Sequence, residues 1–472
     1  MRASIRSAAR RRSALRNGRL SSVASRPPAA RVAHAVEAPI KFPVEGPGGF
    51  RTVLQFTAFR NIWFAQLAAQ LADKFLLFSL IILAYKVSGG STPVAITLLA
   101  YTVPAVLFSP PAGVIADRFN RKQIMMWSNF GRAAAIALIP VLSFVPGLGN
   151  DFAHLLLITL VFSSVGQLFG PAEAAVIPTI LPRSALITAN SMALLTMVLT
   201  LVVGGALAPI LSRIDLYAPY WFGAALLAVA GALIFASDIP KVERTIEEPV
   251  AEGVSRFRQM FNDIKEGIDV IRASRGLMLA FLQVSIAVLV LFMLFTLAPA
   301  FVSQVIGIAA QDTYVILVPA TSGAIVSAIV LGQFLRNLDR ARLLATSMIA
   351  NGITLLGLAA VPQAMAQLPD LHAHARLTGA VFSLALGLEF GAIMIPAVTY
   401  LMETTSDEIR GRIFALLYMV INGVTAVPVL VAAGLADTIG TAHVLGGLGV
   451  LLIGGGVLVA MAWTRDAARA PQ

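Results

Sequence analysis

A chain of 472 residues that is 58% hydrophobic and only 12% charged, with a mean hydropathy of +0.83, cannot cover itself with a polar shell. Lipid removes that need, so the composition excludes a soluble globular protein and implies an integral membrane protein. The net charge of +11 would suggest nucleic acid in a soluble chain but is read here through membrane topology, and zero cysteines exclude disulfides and thiolate metal sites.

Residues 1–58 form a basic tail with nine Arg before residue 32 and no acidic residue before Glu37. It reads as a disordered cytoplasmic segment. Its Arg- and Ser-rich composition also fits an organelle transit peptide, which would place the protein in an organelle membrane. Apolar runs long enough to cross a bilayer, roughly 20 residues, follow near 62–86, 92–116, 123–146, 152–177, 190–212, 217–237, 277–303, 312–335, 343–365, 377–402, 412–436 and 442–463. Their length and continuity argue for helices rather than barrel strands. The expected fold is all-α, with twelve transmembrane helices in two six-helix halves: an N-terminal bundle over 59–238, a cytoplasmic linker over 239–276, a C-terminal bundle over 277–465 and a tail over 466–472.

The Lys and Arg positions agree with this count. With a cytoplasmic N-terminus, the inside segments hold 30 of the 35 basic residues, and the outside loops hold only Arg213 and Arg376. Positive charge stays on the cytoplasmic side because it crosses poorly during insertion. Both termini are therefore expected inside, with the protein in the cell inner membrane. In the linker, Phe257, Met260, Phe261, Ile264, Ile268 and Ile271 share one helical face. That predicts an amphipathic helix on the inner membrane surface; a partner-binding helix is the other reading.

The two halves echo one another. Gly113-Val-Ile-Ala-Asp-Arg-Phe-Asn-Arg-Lys122, between the second and third runs, returns in weaker form at Gly332–Arg342, an offset of 219; Ile177-Pro178 returns as Ile395-Pro396, offset 218, and Phe64-Ala-Gln66 as Phe281-Leu-Gln283, offset 217. Three landmarks at nearly one offset indicate a duplicated architecture.

The duplicated six-plus-six pattern with Gly113-x-x-x-Asp117-Arg118-x-x-Arg121-Lys122 resembles the major facilitator superfamily. Phe169-Gly-Pro-Ala-Glu-Ala-Ala-Val-Ile-Pro178, Ala189-Asn-Ser191 and Glu408-Ile-Arg-Gly-Arg412 resemble its enterobactin-exporter and macrolide-efflux branch further. The resemblance covers about 60–465 and implies two rocking halves, with the first, fourth, seventh and tenth helices lining the cavity. It also implies a conformational latch formed by Gly113, Asp117, Arg118, Arg121 and Lys122. In that latch Asp117 accepts from the amide groups of the eleventh helix, which would begin near Gly411-Arg412. The chain departs from the drug-antiporter pattern in its fifth span. There Gly204-Gly205 precedes Pro209, and the Gly-x-x-x-Gly-Pro-x-x-Gly-Gly run is missing.

The first span carries Gln66, Gln70, Asp73 and Lys74 at i, i+4, i+7 and i+8. A polar stripe on one helical face should meet water or another polar surface rather than lipid. Asp73 and Lys74 lie about 100° apart and should each find a partner elsewhere, with Arg132, Glu173 and Glu389 as candidates. Three acids against two bases leave one acid unpaired, and an unpaired buried carboxylate tends to take up a proton. Asp73, then Glu389, is the expected proton carrier. Asp73 corresponds to Val290 in the repeat, so the seventh span reads as wholly apolar, with Phe292, Met293 and Phe295 forming a lipophilic wall.

Other chemistries are missing from the sequence. No Gly-x-x-x-x-Gly-Lys-Ser/Thr, His-Glu-x-x-His or Gly-x-Ser-x-Gly occurs, so neither a built-in ATPase nor a hydrolase is expected. His372 and His374 read as a solvated loop, and no cofactor or metal is expected. The glycines of 446–456 read as small-residue packing. The expectation is a monomeric, proton-coupled secondary transporter that exports a lipophilic or amphipathic small molecule, with membrane lipids around it and no nucleic-acid partner. A lysophospholipid transporter is the nearest alternative; a non-transporting membrane sensor or an intramembrane enzyme are others.

Overall fold

The computed structural model describes residues 50–147, 151–240, 265, 267–334, 340–367, 374–405, 413–414, 416–417 and 419–467. Twelve helices among them are long and apolar enough to cross a membrane. The first half holds α1 (Thr57–Ser88), α2 (Ser91–Arg118), α3 (Arg121–Ser143), α4 (Phe152–Gly166, resuming at Phe169–Ile180), α5 (Leu186–Ile214) and α6 (Ala218–Phe235). The second holds α7 (Arg275–Phe301), α8 (Tyr314–Phe334), α9 (Arg340–Gln367), α10 (Ala375–Thr404), α11 (Ala426–Ile439) and α12 (Thr441–Ala467). Several helices overrun the predicted apolar runs, because a helix continues into polar surroundings wherever its backbone stays hydrogen-bonded: α1 starts at Thr57 rather than near 62.

Each half has its own apolar core. Ile62, Leu76, Met125, Ile136, Phe162 and Leu227 belong to the first, and Val284, Leu297, Met348, Leu355, Leu401 and Ala433 to the second. A small third cluster, Phe75, Phe78, Ala208 and Leu317, bridges the halves. In the first half α3 packs on α6 and α2 on α4; in the second α9 packs on α12 and α8 on α10, the same pairs one repeat later. The halves meet along two seams, α2 against α11 and α5 against α8, which the repeat exchanges. Large apolar side chains such as Trp127, Phe144, Leu157, Leu451 and Leu458 point outward, as lipid contact requires.

Small residues set the close approaches. A Cβ placed on Gly449 of α12 would lie 2.7 Å from the Gly352 carbonyl of α9, and one on Gly352 would meet Gly449 in return. This pairing accounts for part of the glycine cluster. Between α2 and α3 the chain turns in two residues, Phe119 and Asn120. The Asn120 side chain caps α3 by accepting from the Lys122 amide at 3.0 Å and the Gln123 amide at 3.4 Å.

The linker is described only in part. Residues 267–273 are helical, and Ile271 is buried in the second core. Ile268 of the predicted amphipathic face packs against that core, while Phe257, Met260, Phe261 and Ile264, the tail before residue 50, the centre of the Gly332–Arg342 echo and Arg412 lie outside the described residues.

Candidate functional site

The polar stripe of α1 fans out to three other helices. Gln66 donates to the Glu173 carboxylate of α4 at 3.3 Å. Gln70 accepts from the Thr200 hydroxyl of α5 at 3.3 Å. Trp63, one turn before Gln66, donates to Thr196 of α5 at 2.9 Å. Asp73 forms an ion pair with Arg132 of α3. An α-helix places residues three and four apart on neighbouring lines of its surface, so one stripe can address several packed neighbours.

Arg132 is 4% exposed, and its guanidinium stands over the Phe162 ring at 4.5 Å. Gly166 leaves room for it, since a Cβ there would lie 3.3 Å from Arg132 Nε. The partner Asp73 is about a quarter exposed, at 26%. The difference is accounted for by a cavity of about 160 Å³ lined by Asp73, Arg132, Tyr101, Thr102, Gln167 and Asn422, among others. This volume has room for several waters. Asn422 sits in the π-helical turn Val420–Val424 just before α11, so the ion pair of the first half borders a chamber that the second half helps to close.

The other intramembrane charges are not gathered there. Lys74 lies against Gly204 of α5, where any added Cβ would collide with its side chain, and among the described residues no hydrogen bond or ion pair is formed by its ammonium. Glu173 is 8% exposed; one oxygen takes the Gln66 bond and the other is buried with no partner. Glu389 faces α9 within the second half, accepting from the Thr354 hydroxyl at 2.7 Å and engaging the Asn351 side chain. The five charges therefore do not resolve into two pairs and one spare acid. One pair forms, two acids rest on neutral partners, and Lys74 is shielded by a helix contact.

The seventh span is not wholly apolar. Gln283 of α7 is buried at 2% exposure, and Phe295 packs edge-on against Phe78 of α1 at 5.4 Å across the half-to-half boundary. Of the expected lipophilic wall, Phe295 lines a cavity of the second half together with Gln283, whereas Met293 is buried in the second core and Phe292 packs against that core.

Around the α2–α3 turn, Gly113 is half-buried, and Asp117 and Arg118 are exposed. Arg121 donates to the Ala175 carbonyl of α4 at 3.0 Å. Lys122 donates to the Ser237 carbonyl just beyond α6 at 2.7 Å and lies 5.8 Å from the centre of the Phe235 ring. These two bases tie the turn to its own half. The helix start expected to receive Asp117, near Arg412, lies outside the described residues.

On the opposite membrane face the halves are fastened together. Asp437, at the end of α11, accepts from the backbone amides of Ser91 at 2.6 Å and Thr92 at 2.8 Å, and from the Thr92 hydroxyl at 2.6 Å. The residue at the N-cap of α2 is Gly90, which has no side chain to do this, so the cap is supplied by the other half. Tyr85 of α1 shares a 2.7 Å hydrogen bond with Ser303 beyond α7. Arg213 of α5 meets Asp312 at 3.3 Å and donates to the Tyr314 hydroxyl at 2.7 Å, and Arg376 lies 3.7 Å from the same Asp312. Sequence reasoning missed this clasp. Its one visible trace is Asp437, a lone acid near the end of an apolar run.

A sequence model of the Major Facilitator Superfamily matches residues 62–374. Macrolide efflux protein A of Streptococcus pyogenes is 22% identical over 390 residues, covering 82% of this chain and 91% of that protein. Macrolide efflux protein A of Enterococcus faecalis is 24% identical over 277 residues, covering 58% and 82%. Among solved structures, the nucleoside transporter NupG matches with a TM-score of 0.62 at 11% identity, covering 86% of this chain and 98% of that one. A bacterial homologue of the human lysosomal transporter Spinster, inward-facing and unoccupied, matches with a TM-score of 0.60 at 13% identity, covering 86% and 98%. At these identities the structural likeness carries the fold alone.

Proposed function

Because the chain belongs to the Major Facilitator Superfamily, and membership carries small-molecule transport rather than covalent catalysis, we propose that it is a monomeric proton-coupled exporter of lipophilic or amphipathic compounds. It works by alternating access in the cell inner membrane, with both termini in the cytoplasm. The observation that supports this most is the Asp73–Arg132 pair in the wall of a chamber shared by both halves. A proton on Asp73 cancels one side of the pair and leaves Arg132 buried without its counter-charge. That imbalance is costly enough in a low-dielectric interior to bias helix packing. Protonation and the exposure of the chamber are thereby linked.

The clasp at Asp437, Tyr85 and Arg213 supports assigning this structure to the state closed to the outside. The Gly113–Lys122 turn is its counterpart. In the opposite state Asp117 and Arg118 hold the cytoplasmic face shut, with Asp117 accepting from the helix start near Arg412. In the present state Arg121 and Lys122 are engaged within their own half. Gln66, Gln70 and Lys74 continue the polar face along α1, Gln66 reaching Glu173 of α4, and Glu389 acts separately in the second half. The two relatives named for macrolide efflux make a macrolide the first substrate to assay.

The test is transport into inside-out vesicles under an imposed pH gradient, with dyes, macrolides, siderophores and lysolipids as cargo. The expected result is uptake that collapses when the gradient is dissipated, and that loses its gradient dependence in Asp73→Asn. Uptake indifferent to the gradient in the unmodified protein would remove the proton from the mechanism.

A further inference from the structure

The second half encloses a cavity of about 120 Å³ that shares no lining residue with the Asp73 chamber. It begins at Phe78 of α1 and Leu201 of α5, along the α5–α8 seam, and runs between α7, α8 and α10 to Leu445 and Leu452 of α12. Leu201 is 38% exposed, so one end of the cavity is bounded by a part-exposed side chain of that seam. Family resemblance would place a ligand among the first, fourth, seventh and tenth helices. Here α7 and α10 supply most of the wall, and α8, α9 and α12, which the resemblance does not name, supply much of the rest.

Among the described residues, no Asp, Glu, Lys or Arg lines this cavity. Three neutral polar side chains do: Gln283 of α7, Asn351 of α9 and Ser383 of α10, exposed by 2%, 4% and 1%. Among the described residues, both amide atoms of Gln283, the Asn351 Oδ1 and the Ser383 Oγ lack hydrogen-bond partners. Buried polar atoms without partners destabilise a fold, and apolar side chains of similar size would serve the packing better. Three such residues from three helices converging on one apolar cavity are the arrangement of a ligand site, with a large greasy body and a few placed polar groups. Glu389 stands behind them. It engages Asn351, and a carboxylate draws the amide N–H₂ toward itself, which turns the Asn351 oxygen away as a free acceptor.

We propose that this cavity binds an uncharged amphiphile that enters from the bilayer along the α5–α8 seam. The first part of its apolar chain lies against Phe295, Phe301 and Phe390, and the rest extends out along the seam. Its compact head, a hydroxyl, carbonyl or amide, both donates and accepts hydrogen bonds with Gln283, Asn351 and Ser383. Neutrality of the head follows from the uncharged lining: Glu389, whose second carboxylate oxygen is also buried without a partner, stands behind Asn351 and outside the wall, so a charged head would be desolvated with nothing in the wall to pair it. This assigns a cargo class to the transport reading above and rests on it. Proton binding at Asp73 and cargo binding here communicate only through the movement of the halves.

The test uses the full chain in lipid nanodiscs and a diazirine-bearing monoacylglycerol as photoprobe, with labelled peptides mapped after digestion. Labelling is expected in α7, α9 and α10. Unlabelled monoacylglycerol should compete, whereas the carboxylate and quaternary-ammonium compounds with the same tail should not. The Gln283→Leu/Ser383→Ala double variant should lower labelling about ten-fold, the loss of one to two hydrogen bonds. Its thermal midpoint should hold or rise, because the Gln283 amide atoms and the Ser383 Oγ lack hydrogen-bond partners. Labelling spread evenly over lipid-facing helices, equal competition by the charged compounds, or a steep fall in the thermal midpoint would each overturn the proposal. Gradient-driven dye uptake that persists while the pocket fails to label removes only the pocket. Labelling that persists without gradient dependence removes only the proton coupling.

Discussion

In the proposed orientation the face that carries Asp437 is the outer one, and replacing Asp437 with Ala should unfasten it. The carboxylate accepts three hydrogen bonds of 2.6–2.8 Å, two from the first backbone amides of α2 and one from the Thr92 hydroxyl, and these are the bonds an N-cap would otherwise make. Loss of a cap costs about 0.5–2 kcal/mol. The bonds here are charge-assisted, which raises the figure, and Asp437 is exposed, which screens it. A value of about 1–2 kcal/mol, taken from the outside-closed state alone, shifts the closed-to-open ratio about 5–30-fold. The sequence contains no cysteine, so labels can be placed uniquely. Spin labels on cysteines at Ile214 and Ile439, both exposed at the outer ends of α5 and α11, would report their separation by pulsed electron resonance. The variant should move population toward longer distances, and Asp437→Asn, which keeps one acceptor oxygen, should fall between. An unchanged distance distribution in Asp437→Ala would refute the idea that this cap carries gating energy.

Asp117→Asn should cut transport sharply while membrane abundance stays normal; unimpaired transport would remove the cytoplasmic latch. Asp73→Asn should lower the detergent-solubilised thermal midpoint, since stranding Arg132 costs about 3–5 kcal/mol, and Asp73→Asn/Arg132→Gln should recover most of it. Equal midpoints for the single and double variants would mean that the pair is not a closed ion pair. Gly449→Val should reduce folded yield, because its Cβ would press on the Gly352 carbonyl from 2.7 Å, with overpacking costing about 1–3 kcal/mol. Size-exclusion profiles identical to the unmodified protein would contradict the close α9–α12 contact.

The crossings were legible because lipid leaves a chain few options: an unbroken apolar run of helical length has little else to be. Arg132 and Asp73 were legible as partners for a similar reason, since charges inside such runs are few and must find company. Asp437 was not, because its partners are backbone amides, which no letter in a sequence marks. Gln283, Asn351 and Ser383 were invisible as a set. Each is an isolated neutral polar residue in an apolar run, like many that only bond their own helix, and the sequence does not show that three of them converge. The charge tally misled because it assumed that both bases would pair and leave one acid over, whereas Lys74 forms no ion pair among the described residues, Glu173 found Gln66 and Glu389 found Thr354.

Having no lining residue in common, the two cavities can vary independently. A lineage, or a protein engineer, could exchange the side chains around Gln283 to admit a different passenger while the charged machinery on α1 and α3 continued unaltered. Chimeras that join one N-terminal half to several C-terminal halves would then differ in what they carry and agree in what drives them.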